Sequence, residues 1–199
     1  MRNLVIVFGV LFSSFLFSQS KDDKPKSIFN VEINGAKTVV KEGEDFKLDG
    51  KTIKISLSSE VTFSKGNIRF NYPQYFTYEY KNLSESLENW VLSGNHFKIF
   101  LMKFKGNQSI KSYVQVIRER FVNSVDSEID ISLNKNIFKG YKIDVSVLSN
   151  PMKMEIFKIK YDGNNTYFLV FQDTKKGNYS ESEEYVMAKN IIDKTLVIE

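Results

Sequence analysis

Three carboxylates alternate at Asp126, Glu128 and Asp130, and in an extended segment all three project from one face. Oxygen ligands arranged in this way could hold calcium. Any two of Asp126, Glu128, Asp130 and Asp144 could instead be the acid and base of a secreted hydrolase, provided that they converge in one pocket. The segment lacks the glycine and the later glutamate of a helix-loop-helix calcium loop, and three like charges after a helix are ordinarily solvated. No metal and no cofactor is therefore expected, with Asp126, Glu128 and Asp130 as the residues a metal would use. Glu181, Glu183 and Glu184 fall in the first turn of a second helix, where the helix dipole already accounts for them.

The single histidine, His96, follows Gly94-Asn95 directly. A histidine works as a general base when a carboxylate orients it and a nucleophile lies in reach. Ser93 is near in sequence, but neighbours along a strand point to opposite faces, and no Gly-x-Ser-x-Gly elbow is present. The chain has no cysteine, which removes thiol nucleophiles and thiolate metal sites. No residue is assigned a catalytic role.

What remains is aromatic. The stretch FNYPQYFTYEY, Phe70 to Tyr80, holds six aromatic residues and a proline in eleven positions. A stacking platform for a sugar or a base needs rings in solvent beside groups that grip a ligand, and the segment offers only Arg69, Gln74 and Lys81 for that purpose. Aromatics more often build core. The expectation is one strand with Phe76, Tyr78 and Tyr80 on a face buried under a helix, and Pro73 at a bend or edge. Tyr72, Tyr75, Trp90 and His96 are the candidate ligand-binding residues.

These groups must be held by strands and two helices. Ile28 to Leu57 alternates in short apolar groups between the turn signals Asn34-Gly35, Glu42-Gly43 and Asp49-Gly50, which predicts two or three small strands. Asn89 to Ser93 and His96 to Phe104 flank Gly94-Asn95 as a tight hairpin. The second strand is apolar on both sides and should be central. From Ser109 the apolar spacing becomes three and four through Ile110, Tyr113, Val114, Ile117 and Phe121, which predicts an amphipathic helix capped by Ser109 or Asn107. Strands follow at Tyr141 to Val147, Met152 to Tyr161 and Asn165 to Gln172, the last two joined by Asp162-Gly163-Asn164. Ser180-Glu181-Ser182-Glu183 reads as a capping box for a helix through Tyr185, Ala188, Ile191 and Ile192, and Leu196-Val197-Ile198 as a final short strand. The predicted class is α+β: a mainly antiparallel sheet with two amphipathic helices in an α/β/α sandwich, preceded by a short N-terminal hairpin region.

FNYPQYFTYEY, followed by ENWVLSGNHFKIFLMKF, a helix, strands and a closing helix running into AKNIIDKTLVIE, resembles the PsbP-like family of extracytoplasmic α/β/α sandwiches. The positions that carry the resemblance are Tyr72, Pro73, Phe76, Trp90, Leu92, Gly94, Asn95 and Ile99, within about residues 61–199; the Ile28 to Leu57 region lies outside it. The resemblance implies a binding or assembly role rather than catalysis. It supplies no catalytic residues, and the family's photosynthetic role does not carry over.

Residues 1–20, MRNLVIVFGVLFSSFLFSQS, have the basic start, apolar run and polar end of a secretory signal peptide. The apolar run is too short to cross ~30 Å of hydrocarbon comfortably, so no transmembrane helix is expected in the mature chain. Residues 21–27 read as a linker, 28–60 as a strand extension and 61–199 as the main domain. A net charge of +4 spread along the chain is too weak to argue for nucleic acid, and none is expected as a partner. Lys98, Lys103, Lys105, Lys111 and Lys139 are expected on solvated strand edges. The four glycosylation sequons, from Asn82, Asn107, Asn164 and Asn178, are read as products of an Asn-rich bacterial composition. The expectation is a secreted or periplasmic monomer that binds a protein or a small envelope ligand. A hydrolase using carboxylates is the alternative.

Overall fold

The computed structural model describes residues 28–33, 36–41, 44–48, 50–55, 58–121, 124–147, 150–174 and 181–199. The signal-peptide and linker readings, the Asn34-Gly35 and Glu42-Gly43 turns and the Asn178 sequon lie outside them. The chain divides into two compact units at Ser59/Glu60. In the smaller unit, β1 (Ile28–Ile33) pairs antiparallel with β2 (Ala36–Lys41), and β3 (Asp45–Leu48) with β4 (Lys51–Lys54). Two hairpins thus stand where two or three strands were predicted.

The larger unit runs β5 (Glu60–Lys65), β6 (Ile68–Pro73), β7 (Thr77–Ser84), β8 (Leu87–Ser93), β9 (Phe97–Lys105), α1 (Ile110–Arg120), β10 (Val125–Leu133), β11 (Asn136–Val147), β12 (Asn150–Tyr161), β13 (Asn165–Thr174), α2 (Glu183–Thr195) and β14 (Val197–Ile198). Seven strands form one antiparallel sheet in the order β10-β11-β12-β13-β9-β8-β7, and β14-β6-β5 form a second sheet.

This corrects the predicted class. The described residues are 64% strand and 16% helix, a predominantly antiparallel β fold rather than an α+β sandwich. Two features missing from the prediction account for the difference. The carboxylate segment after α1 is strand β10, paired along its length with β11. The layer expected to be helix is shared between α2 and a second sheet.

Pro73 creates that second sheet. It ends β6, where its missing N–H removes it from further pairing, and the Phe76 N–H donates to the Pro73 carbonyl at 3.0 Å. The chain thereby passes from the small sheet to β7, an edge of the large one. FNYP and TYEY are two strands in two sheets, not one.

Alternation of side chains along the central strands gives the seven-stranded sheet two apolar faces. One carries Trp90, Ile99, Leu101, Phe157 and Leu169 against Phe63 and Phe70 of the small sheet and Tyr185, Ala188 and Ile192 of α2. The other carries Phe100, Met102, Ile143, Ile156 and Phe168 against Tyr113, Val114 and Ile117 of α1. β9 lies between β13 and β8 and is buried on both sides, as its sequence predicted. Ser109 caps α1, its Oγ accepting from the Ser112 N–H. The cap of α2 is Ser182, which accepts from the Tyr185 N–H at 3.0 Å, two residues beyond the predicted Ser180.

Candidate functional site

Cross-strand register assembles an aromatic trough at the β7 end of the sheet. Tyr80 lies opposite Trp90, Glu88 opposite Lys103, and Lys103 opposite Tyr167. With a side-chain period of two, Tyr78, Tyr80, Glu88, Trp90, Lys103 and Tyr167 all leave the same face. They line a cavity of about 380 Å³, closed at one end by the turn between β5 and β6. Gly66 in that turn has φ +58, and a Cβ there would come within 2.8 Å of the Tyr167 ring. Both the backbone conformation and the approach of the ring require glycine.

The rings differ in exposure. Trp90 is 6% exposed, whereas Tyr78 and Tyr80 are 49% and 46% exposed. Tyr80 lies over Trp90 with centroids 5.5 Å apart, and Phe63 meets Trp90 edge-on at 6.4 Å. The polar groups between the rings are already oriented. Lys103 Nζ donates to Glu88 Oε1 at 2.6 Å, the Tyr80 hydroxyl to Glu88 Oε2 at 3.2 Å, and the Tyr167 hydroxyl to Asp162 Oδ2 at 3.1 Å.

The hydrogen bond to Glu88 raises the Lys103 pKa. The Tyr80 hydroxyl is pushed up by loss of solvent on one side and by Glu88, and the Tyr167 hydroxyl by burial and Asp162. All three therefore keep their protons at neutral pH and remain donors.

The four predicted ligand-binding residues do not form one site. Trp90 lies in the trough. Tyr72 is 7% exposed and belongs to the core. Tyr75 and His96 meet instead at Glu184: its carboxylate accepts from the backbone N–H groups of Asn95 at 3.2 Å, His96 at 2.6 Å and Phe97 at 3.2 Å. Burial and that carboxylate raise the Tyr75 hydroxyl.

Among the described residues, no group of three His, Asp or Glu side chains is arranged to hold a metal ion. Asp126 is 3.0 Å from Arg118 Nη1, Glu128 accepts from the Tyr141 hydroxyl at 2.8 Å, and Asp130 lies opposite Lys139. Asp126 and Glu128 do share a groove of about 880 Å³ between α1 and β10. Asp144 alternates with Ile143, whose side chain faces α1, and so points to the other face of the sheet, 3.2 Å from Lys142.

Two of the lysines expected on solvated edges are elsewhere: Lys98 is 8% exposed, its pKa lowered by burial, and Lys103 lies in the trough. Sequence reasoning also missed a buried polar cluster. Glu155 accepts from the Tyr185 hydroxyl at 2.8 Å and lies 3.3 Å from Lys153 Nζ, which in turn reaches Glu181 at 2.5 Å. Burial and Glu155 push the Tyr185 hydroxyl far up. The cluster joins α2 to β12 as a fully engaged network.

No protein-family model matches the chain, and no curated protein matches it. Among solved structures, a Bacteroides thetaiotaomicron VPI-5482 protein is 14% identical over 71% of this chain with a TM-score of 0.45. LpqN of Mycobacterium tuberculosis, described as involved in cell envelope biogenesis, is 14% identical over 69% of this chain and 90% of its own, with a TM-score of 0.41. The chain spans about half the length of the Bacteroides protein, 49%. Scores this low carry no argument about fold or function. The resemblance to PsbP-like proteins has no family match behind it.

Proposed function

We propose that this chain is an exported binding protein of a bacterial cell envelope that takes a small envelope ligand in the aromatic trough and catalyses nothing. The observation that carries the reading is the trough: two half-exposed tyrosines and the largely buried Trp90 beside a preformed Glu88–Lys103 pair. Small-molecule sites combine apolar walls with a few placed polar groups in this way. The signal-like residues 1–20 support export. Among the described residues, no helix is long and apolar enough to cross a membrane. A segment of a partner protein is the alternative occupant, and the chain acts as a monomer in either case.

The full chain, immobilised and washed with envelope extract from cells that make it, is expected to retain a small molecule that leaves with its mass unchanged. The Tyr80→Ala variant is expected to lose it. Retention of nothing, or release of a cleaved product, would overturn the reading.

The carboxylate hydrolase is the second reading, favoured by one observation: Asp126 and Glu128 share a groove. Both are engaged by donors, Arg118 and the Tyr141 hydroxyl, whereas general acid catalysis needs a carboxyl that delivers a proton to the leaving group. Hydrolysis of a chromogenic glycoside by the chain, abolished in Glu128→Gln, would establish it; equal rates with and without protein would remove it.

A further inference from the structure

We infer that the trough binds a carbohydrate of at least two linked rings, with the Glu88–Lys103 pair seated between two subsites. The inference rests on the binding reading above and names its ligand class. A second cavity of about 260 Å³ adjoins the aromatic one, and the two have Glu88 and Lys103 as common lining residues. Its remaining wall carries the Ser86 hydroxyl, the amides of Asn164 and Asn165 and the charged Glu85 and Lys105, with Leu87 as its apolar member. The site therefore has an aromatic half and a hydrogen-bonding half, divided by an ion pair.

A sugar ring matches this division. One of its faces is a patch of C–H bonds that packs on an aromatic plane, and its rim is a circle of hydroxyls. Tyr78 and Tyr80 offer the planes, half exposed. Glu88 and Lys103, with charged atoms 2.6 Å apart, offer an acceptor and a donor at the spacing of neighbouring hydroxyls, and charge-assisted bonds of this kind are the stronger ones.

Other ligand classes fit less well. Lys103 is already paired with Glu88, so a nucleotide's phosphate would have to draw its counter-charge from Lys65 or Lys105, and a fatty acyl chain would strand the polar groups unpaired. The two cavities together have the volume range of small-molecule sites, roughly 300–1,000 Å³, more than one ring requires.

Trp90 is the chain's only tryptophan, so its emission reports on the trough alone. The full chain is titrated with chitobiose, cellobiose, maltose and lactose, with the corresponding monosaccharides and with adenosine monophosphate. A saturable change in emission is expected with at least one disaccharide, at an affinity at least tenfold above that of its monosaccharide and with no response to the nucleotide. Tyr80→Ala and Lys103→Met are each expected to weaken it about tenfold with the circular dichroism spectrum unchanged. Tyr78→Ala, at a second half-exposed ring, supplies the same test if either variant fails to fold.

Failure of all four disaccharides to move the emission would overturn the inference. If the envelope extract still yields a retained non-saccharide lost in Tyr80→Ala, the binding reading stands without it; if nothing is retained, both fall. A response that survives unchanged in Tyr80→Ala and Tyr78→Ala would also overturn it.

Discussion

Glu184 stands in the first turn of α2, where the dipole favours any acid, and that was the whole of its sequence-level explanation. In the fold its carboxylate also collects three backbone N–H groups from the turn between β8 and β9. Gly94 in the same turn leaves the room this needs, since a Cβ there would meet the Phe76 ring at 2.7 Å and Glu184 Oε2 at 2.8 Å. Replacing Glu184 by Ala strips charge-assisted acceptors from three donors, and hydrogen bonds to charged groups contribute roughly 1.5–3 kcal/mol. A loss of about 2 kcal/mol is expected in urea unfolding, with Trp90 emission of the native state unchanged because the trough lies elsewhere. A loss below a few tenths would show that solvent replaces the carboxylate.

At the level of single elements, the β12–β13 hairpin combines what was legible with what was not. Asp162-Gly163-Asn164 announced the turn, and Gly163 has φ +90 as such a turn requires. The carboxylate of Asp162 then accepts from the Asn164 N–H at 3.0 Å and the Asn165 N–H at 2.7 Å, and from the Tyr167 hydroxyl. These bonds hold its pKa at about 2 instead of 3.8.

A depressed folded-state pKa stabilises the protein wherever the unfolded chain would be ionised, above about pH 4, and the contribution fades as pH falls toward 2. Asp162→Asn is therefore expected to lower the melting temperature by a few degrees at pH 7. The gap to the parent should narrow between pH 4 and pH 2, followed by paired thermal melts. A gap that stays constant with pH would exclude the carboxylate as its source. Strand β10 was the element that composition concealed. Asp126, Glu128 and Asp130 have the charge of a solvated linker, and their strand exists because β11 offers a partner along its whole length.

Across the whole molecule, the large sheet is the common wall of both cores, so a void in its middle should be felt throughout the larger unit. Leu169 of β13 is fully buried against the α2 side, and Leu169→Ala is expected to cost about 3 kcal/mol, within the roughly 2–5 typical of such truncations. Chemical denaturation followed by far-ultraviolet circular dichroism and by Trp90 emission should shift together. Separate shifts would mean that the β7 end unfolds independently.

The periodicity of the chain was enough to specify both helices, the central position of β9 and the β8–β9 and β12–β13 hairpins. Each of these is a local pattern of period two, period 3.6 or turn chemistry. It could not specify that Pro73 divides the aromatic stretch between two sheets, because the destination of a chain after a bend depends on which edge is open to it. The trough was hidden for the same reason: Tyr80, Trp90, Lys103 and Tyr167 come from four strands spread over 88 positions, and although Tyr80 and Trp90 stood out as aromatics, nothing local joins them to Lys103 and Tyr167. They become one surface only through antiparallel register, a long-range property that side-chain packing and backbone hydrogen bonds set together.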